Sequence, residues 1–134
     1  MALQYSTTHR NNVMSDIVTQ AGTSATIKIF SGTAPATAGT ADTGTLLATL
    51  TGNATQFGTV SGGVLTASAI TSGTAAATGT AGYFRVYPSA ATTTNAVYQG
   101  TVGTAGADLN LSSTSISSGQ TVSISSLTIT AFGA

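Results

Sequence analysis

The sequence predicts an all-β protein: a jelly-roll-like β-sandwich of about eight short antiparallel strands with one N-terminal α-helix. Three observations lead there. Beyond residue 22 the apolar residues repeat with a period of two, in short runs broken by Gly, Ser, Thr, Asn or Pro. Thr and Val, which suit a pleated and half-buried surface, recur in those runs. The runs are spaced like the strands of sandwiches and barrels. A length of 134 residues fits one domain, 1–134, with 1–22 as an N-terminal arm and helix.

Residues 8–21 carry the helical pattern. Val13, Met14, Ile17 and Val18 fall on one stripe. Thr7 or Thr8 stands where an N-cap belongs, and Gly22 where a C-terminal glycine belongs. Arg10 and Asp16 lie off the stripe and are expected to face solvent or a partner.

The strands follow in order. Segment 25–32 sets Ile27 and Ile29 against Lys28 and Phe30. Segment 31–44 is small and polar, contains Pro35, and reads as a long loop. Segment 45–51 places Leu46, Ala48 and Leu50 on one face. Phe57 to Val60 is a short strand or bulged turn, and Gly62-Gly63 breaks into a strand over 63–71. Residues 72–80 are turn-like. Segment 82–88 is the densest in aromatics, with Tyr83, Arg85 and Tyr87 on one face and Phe84 and Val86 on the other; Pro88 ends it. Segment 95–102 is next, and 108–112 places Leu109 and Leu111 inward. In 121–131, Val122 and Ile124 share one parity and Leu127 and Ile129 the other. That change of phase predicts a β-bulge or bend at Ser125-Ser126.

Charge is nearly absent. Only 4% of residues are charged: Asp16, Asp42, Asp108, Arg10, Lys28 and Arg85, with no Glu. Net charge is zero and mean hydropathy is +0.31. Disordered chains combine low hydropathy with high net charge, so this one is expected to fold. The size scaling gives a folded surface of roughly 6,300 Å². A domain with so few charges lacks the usual safeguard against association, and its strand edges lack the Lys residues that isolated sheets use. A building block that covers itself by assembling with partners fits this composition.

Several functions are disfavoured. Phosphate binding needs clustered Lys and Arg, and the three cations are far apart in sequence, so no nucleic-acid partner is expected. No cysteine is present for a disulfide or thiolate site. The N-terminus has no apolar stretch of signal-peptide type, and no run approaches membrane-spanning length.

The chemistry-bearing residues each have a structural explanation. His9 lies beside Arg10 with no acid near it in sequence, so it reads as solvated or capping, not catalytic. Asp108 and Asn110 alternate on one strand face, but a calcium site wants more carboxylates than this; turn and edge hydrogen bonding is the better reading. The Gly-rich stretches 73–82 and 103–108 lack a phosphate-loop ending and read as turns. The triplets at Asn53 and Asn110 match the glycosylation pattern, which arises by chance in a Ser/Thr-rich chain. No catalytic residue, metal site or cofactor is expected. Tyr83, Arg85 and Tyr87 remain as a candidate binding patch for sugar or protein. The alternative is a second inner face of the sandwich, with tyrosine hydroxyls at its rim.

The segments LQYSTTHRNNVMSDIV, ATIKIFSGTAPAT, LLATLTG and SGGVLTASAIT, with GTAGYFRVYPS and QGTVGTAGADLNLSSTSISSGQTVSISSLTIT in the C-terminal half, carry a resemblance over nearly the whole chain. The chain resembles small virion proteins, and most closely the capsid decoration, or cement, proteins of tailed bacteriophages. That resemblance implies a jelly-roll fold and a homo-oligomer, dimer or trimer, that clasps the major capsid protein on the capsid exterior after synthesis in the host cytoplasm. It brings no catalytic residues. The N-terminal segment and the loops would be the capsid contacts by analogy. Another virion position (tail, neck or fibre) and a host-surface or carbohydrate-binding module are the alternatives.

Overall fold

A computed structural model describes residues 3–133. It contains one helix, α1 (Thr7–Ala21), and eleven strands: β1 (Thr26–Ser31), β2 (Leu46–Thr51), β3 (Gly58–Ser61), β4 (Val64–Ala67), β5 (Gly73–Thr74), β6 (Gly79–Tyr87), β7 (Tyr98–Gly103), β8 (Leu109–Leu111), β9 (Ser115–Ile116), β10 (Thr121–Val122) and β11 (Ile124–Thr130). The fold is mostly β with one helix, as the period of two requires. Its accessible surface is 6523 Å², close to the size expectation.

Eight strands form one continuous curled sheet in the order β2-β1-β6-β7-β8-β11-β4-β3. The strip β9 adds to β6, and β5 pairs with β10 as a separate ribbon. Pairing is antiparallel everywhere except between β7 and β8, which run parallel through Val102–Leu109 and Gly103–Asn110. The expected all-antiparallel pairing is corrected at that seam. Five residues between β7 and β8, Thr104 to Asp108, form a small turn that brings β8 back alongside its predecessor.

The helix begins one residue earlier than the pattern suggests. Ser6, not Thr7 or Thr8, is the N-cap, and its Oγ accepts from the His9 backbone N–H at 3.2 Å. Gly22 ends the helix at φ +68°, as expected, with its N–H on the Val18 carbonyl. Met14 is buried and Ile17 and Val18 pack on the core, but Val13 is 38% exposed and leaves the stripe. Arg10 does not face open solvent. Its side chain lies over Gly63, where any Cβ would overlap the guanidinium, and the neighbouring Asn11 accepts from the Gly63 N–H at 2.7 Å. The helix is thereby fastened to the β3–β4 hairpin, whose two-residue turn has positive φ at both Gly62 (+61°) and Gly63 (+77°).

Three bulges set the register of the sheet, one of them at Gly82, where Phe30 pairs with Tyr83 but Ser31 with Ala81. Ile29 pairs with Ala48 but Phe30 with Leu46, so Leu47 is the extra residue of β2. This turns Leu47 into the core beside Ala48 and Leu50 and leaves Leu46 half-buried, which corrects the simple alternation expected for 45–51. The third bulge is the expected one. Ile124 pairs with Leu111 and Ser126 with Asn110, so Ser125 is the extra residue. The expected strand over 63–71 stops at Ala67, and the turn-like 72–80 stretch holds the short β5 and the start of β6.

The core is one cluster. Ile27, Ile29, Leu47, Leu50, Phe57, Leu65, Phe84, Val86, Leu109 and Leu127 are among its members, drawn from both arms of the curled sheet. Each fully buried side chain of this size stabilises the fold by about 1.5–3 kcal/mol relative to exposure. The opposite face of β1 and β6 carries Phe30, Tyr83, Arg85 and Tyr87, and these too are buried. What covers them is the long loop.

Candidate functional site

The loop after β1 runs back across the outer face of β6 as a strap, residues 33–43. Three side chains of β6 meet it, because residues 83, 85 and 87 share one face. Arg85 is fully buried and is the one buried charged residue among those described. All five of its N–H donors are used. Nε donates to Gln99 Oε1 at 3.1 Å, and Nη2 donates to the same atom at 2.9 Å and to the Thr37 carbonyl at 3.1 Å. Nη1 donates to the Thr40 carbonyl at 2.7 Å and to Asp42 Oδ1 at 2.8 Å. Gln99 in turn donates to the Pro35 carbonyl at 2.7 Å.

The two tyrosines complete the attachment. Tyr87 donates its hydroxyl to Asp42 Oδ1 in a short hydrogen bond. Tyr83 donates to the Thr43 carbonyl at 2.6 Å and accepts from the Thr43 N–H at 3.1 Å. The ring of Tyr83 stacks on Phe30 at 5.0 Å, and the Lys28 ammonium lies 4.8 Å from the Tyr87 ring centre. Burial, and then the hydrogen bond to the Asp42 carboxylate, push the Tyr87 phenol well above its ordinary value, so it stays a neutral donor.

This arrangement holds a loop. A charge taken out of water is tolerated only when it is paired and fully hydrogen-bonded, which Arg85 is. Tyr83, Arg85 and Tyr87 share one face as expected, but each is at most 2% exposed. The binding patch is therefore corrected to an inner face, with its hydroxyls bonded to the strap. Sequence reasoning missed Asp42, Gln99 and the carbonyls of Pro35, Thr37 and Thr40. A single acid within a charge-poor loop was the available signal for Asp42. The carbonyls have none, because any residue supplies one. An open cleft of about 410 Å³ lies beside the strap, lined by residues 32–34, Gly82, Tyr83 and 99–101.

The other candidates are placed elsewhere. His9 is exposed on α1, with its ring 4.7 Å from that of Tyr5. Tyr5 in turn meets Phe132 edge-on at 5.8 Å and donates its N–H to the Gly133 carbonyl at 2.6 Å. The two ends of the chain are thus joined, and Leu3 (72% exposed) and Phe132 (75% exposed) stand there in solvent. Asp108 Oδ2 accepts from the Thr101 N–H and hydroxyl, both at 3.1 Å. Asn110 bonds both backbone groups of Ala107 and the Ser126 hydroxyl. These are the turn and edge bonds expected of that pair. Of the stretch 103–108, Gly103 ends β7 and residues 104–108 form the turn, with Gly106 at φ +71°. Among the described residues no helix is long and apolar enough to cross a membrane.

Comparison with protein-family models, curated proteins and solved structures finds no match for this chain.

Proposed function

We propose that this protein is a capsid decoration, or cement, protein of a tailed bacteriophage, which binds the outer capsid surface and stabilises the shell by bridging capsid subunits. One observation carries the reading. The polar chemistry of the chain is spent on its own architecture, while exposed large apolar side chains, Leu3 and Phe132, sit at the joined chain ends. A shell protein needs such a surface and no reactive group. The resemblance of the sequence to virion proteins supports the same reading.

The contact would be made by the N-terminal segment with Phe132, against the major capsid protein, and repeated over many copies. Multivalency converts weak contacts of this size into firm attachment. A homo-oligomer, dimer or trimer, belongs to the proposal, as does a jelly-roll-like closure in which the two arms of the curled sheet face each other. The single core cluster shared by those arms supports the closure; the parallel β7–β8 seam departs from the ideal form.

Attachment driven by apolar burial depends little on salt, because only charged contacts are screened. Washing decorated particles with increasing salt should leave the protein bound, and replacing both Leu3 and Phe132 by Ser should release it. Detachment of the unmodified protein by moderate salt would reject the apolar mechanism. The burial of Tyr83, Arg85 and Tyr87 favours this reading over a carbohydrate-binding module.

A further inference from the structure

The charges of α1 are the exception to the self-contained polar chemistry of this chain. Elsewhere each charged side chain has its partner within the fold. Asp42 holds Arg85, Asp108 accepts twice from Thr101, and Lys28 lies over the Tyr87 ring. Arg10 and Asp16 have no opposite charge. Among the described residues the one ion pair is that of Arg85 with Asp42, and the Nε of Arg10 is buried without a hydrogen bond. The Arg10 side chain packs on Gly63, in a turn of two glycines that raises no side chain over it. Asp16 is exposed and uses only Oδ2, which accepts from the Gln20 amide at 2.5 Å.

The two cannot serve each other. Six residues apart, they lie about 9 Å apart along the helix axis and on opposite flanks, whereas side chains meet at i,i+3 and i,i+4. Midway between them stands Val13, apolar and 38% exposed. Arg10 and Asp16 stand three residues before and after it, about 60° to either side. Such a face is its own complement. A two-fold axis at Val13 lays α1 antiparallel across α1 of a second copy, with Val13 on Val13, and sets each Arg10 opposite the other's Asp16. A parallel arrangement would set like charges against each other, which is costly at an interface. The other exposed side chains of this face, His9 and Gln20, bring no carboxylate or second guanidinium.

We infer that α1 is the contact between two copies of this chain, an isologous dimer centred on Val13 and closed by two Arg10–Asp16 pairs. A half-buried guanidinium without acceptors is costly, and a carboxylate from a second copy relieves that cost. The pair therefore contributes more here than it would between two fully exposed side chains. It also fixes direction and register, which is what charges at an interface do best. The contact gives an interface to the homo-oligomer proposed above. Its test needs no capsid, so this inference and the decoration reading can fail separately.

Sedimentation equilibrium of the full-length protein at about 0.1 mM should give twice the 13.0 kDa of the chain. Asp16→Arg changes an exposed residue, so the variant should fold with little change in Tm, while like charges at both pairs weaken association by about tenfold or more. Adding Arg10→Asp to it makes the charges opposite again and should restore the doubled mass. Val13→Asp, at the centre of the contact, should give a folded single chain whatever the exchange at Arg10 does to folding. A single chain or a trimer from the unmodified protein would overturn the inference. So would a mass left doubled by Asp16→Arg or by Val13→Asp, or a folded double variant that stays a single chain.

Discussion

Arg85 and Asp42 form an ion pair of 2.8 Å that joins the central strand β6 to the far end of the 33–43 strap. The pair is unequal: the Arg85 side chain is fully buried, while that of Asp42 is 13% exposed at the rim. The guanidinium also holds the Thr37 and Thr40 carbonyls, so one side chain fixes three points along the loop. In a chain with three basic residues, one is spent entirely on this.

Arg85→Ala should destabilise the protein by about 3–5 kcal/mol, because it leaves Asp42, Gln99 and two strap carbonyls without their donor. Urea unfolding measures this. Limited proteolysis should cut the variant between residues 33 and 43, a segment resistant in the parent. A change at the half-buried Lys28, Lys28→Ala, which loses one cation–π contact, should cost no more than about 1 kcal/mol.

Alkaline pH should unfold the protein through its buried tyrosines. Tyr87 and Tyr98 both have phenols raised above the ordinary value of 10 in the folded state. The folded protein keeps these protons where the unfolded chain has lost them. Stability from this source is therefore complete below pH 10 and falls as pH rises beyond it. An ultraviolet tyrosine titration should show these two ionising only together with loss of the native circular dichroism signal. Tyr87→Phe should lessen the slope.

Gly82→Ala should be poorly tolerated although its backbone is not left-handed. A Cβ at residue 82 would collide with the Gly32 carbonyl oxygen, where the strap leaves β1. Overpacking of this kind costs about 1–3 kcal/mol. Thermal unfolding of the variant tests it, with Gly62→Ala as a contrast. Residue 62 has open space around it, so any loss there comes from its φ of +61° alone.

Ser6→Ala should remove the N-cap of α1 and cost about 0.5–2 kcal/mol. The loss should appear as earlier unfolding with the same cooperativity, because α1 is fastened to the β3–β4 hairpin through Arg10 and Asn11.

How far the sequence reveals this architecture depends on whether the signal is carried by side chains. The bulge at Ser125 is legible because Val122 and Ile124 change phase against Leu127 and Ile129. The bulge at Leu47 is hidden, since the adjacent leucines 46 and 47 leave both registers equally apolar. Strand β9 is lost among serines, where no alternation exists to read. The shared face of Tyr83, Arg85 and Tyr87 is visible from spacing, but its burial is not. That burial depends on a strap held mostly through backbone carbonyls, which every residue possesses. The parallel seam has no signature at all, because two paired residues are too few to impose a pattern.

The most direct test of the proposed role is the copy number of this protein in purified phage particles, measured by quantitative mass spectrometry against the major capsid protein. A decoration protein should be present in a ratio near that of the capsid protein and fixed by shell symmetry. A handful of copies per particle would place it in the tail or neck, and its absence from the particle would contradict the structural role outright.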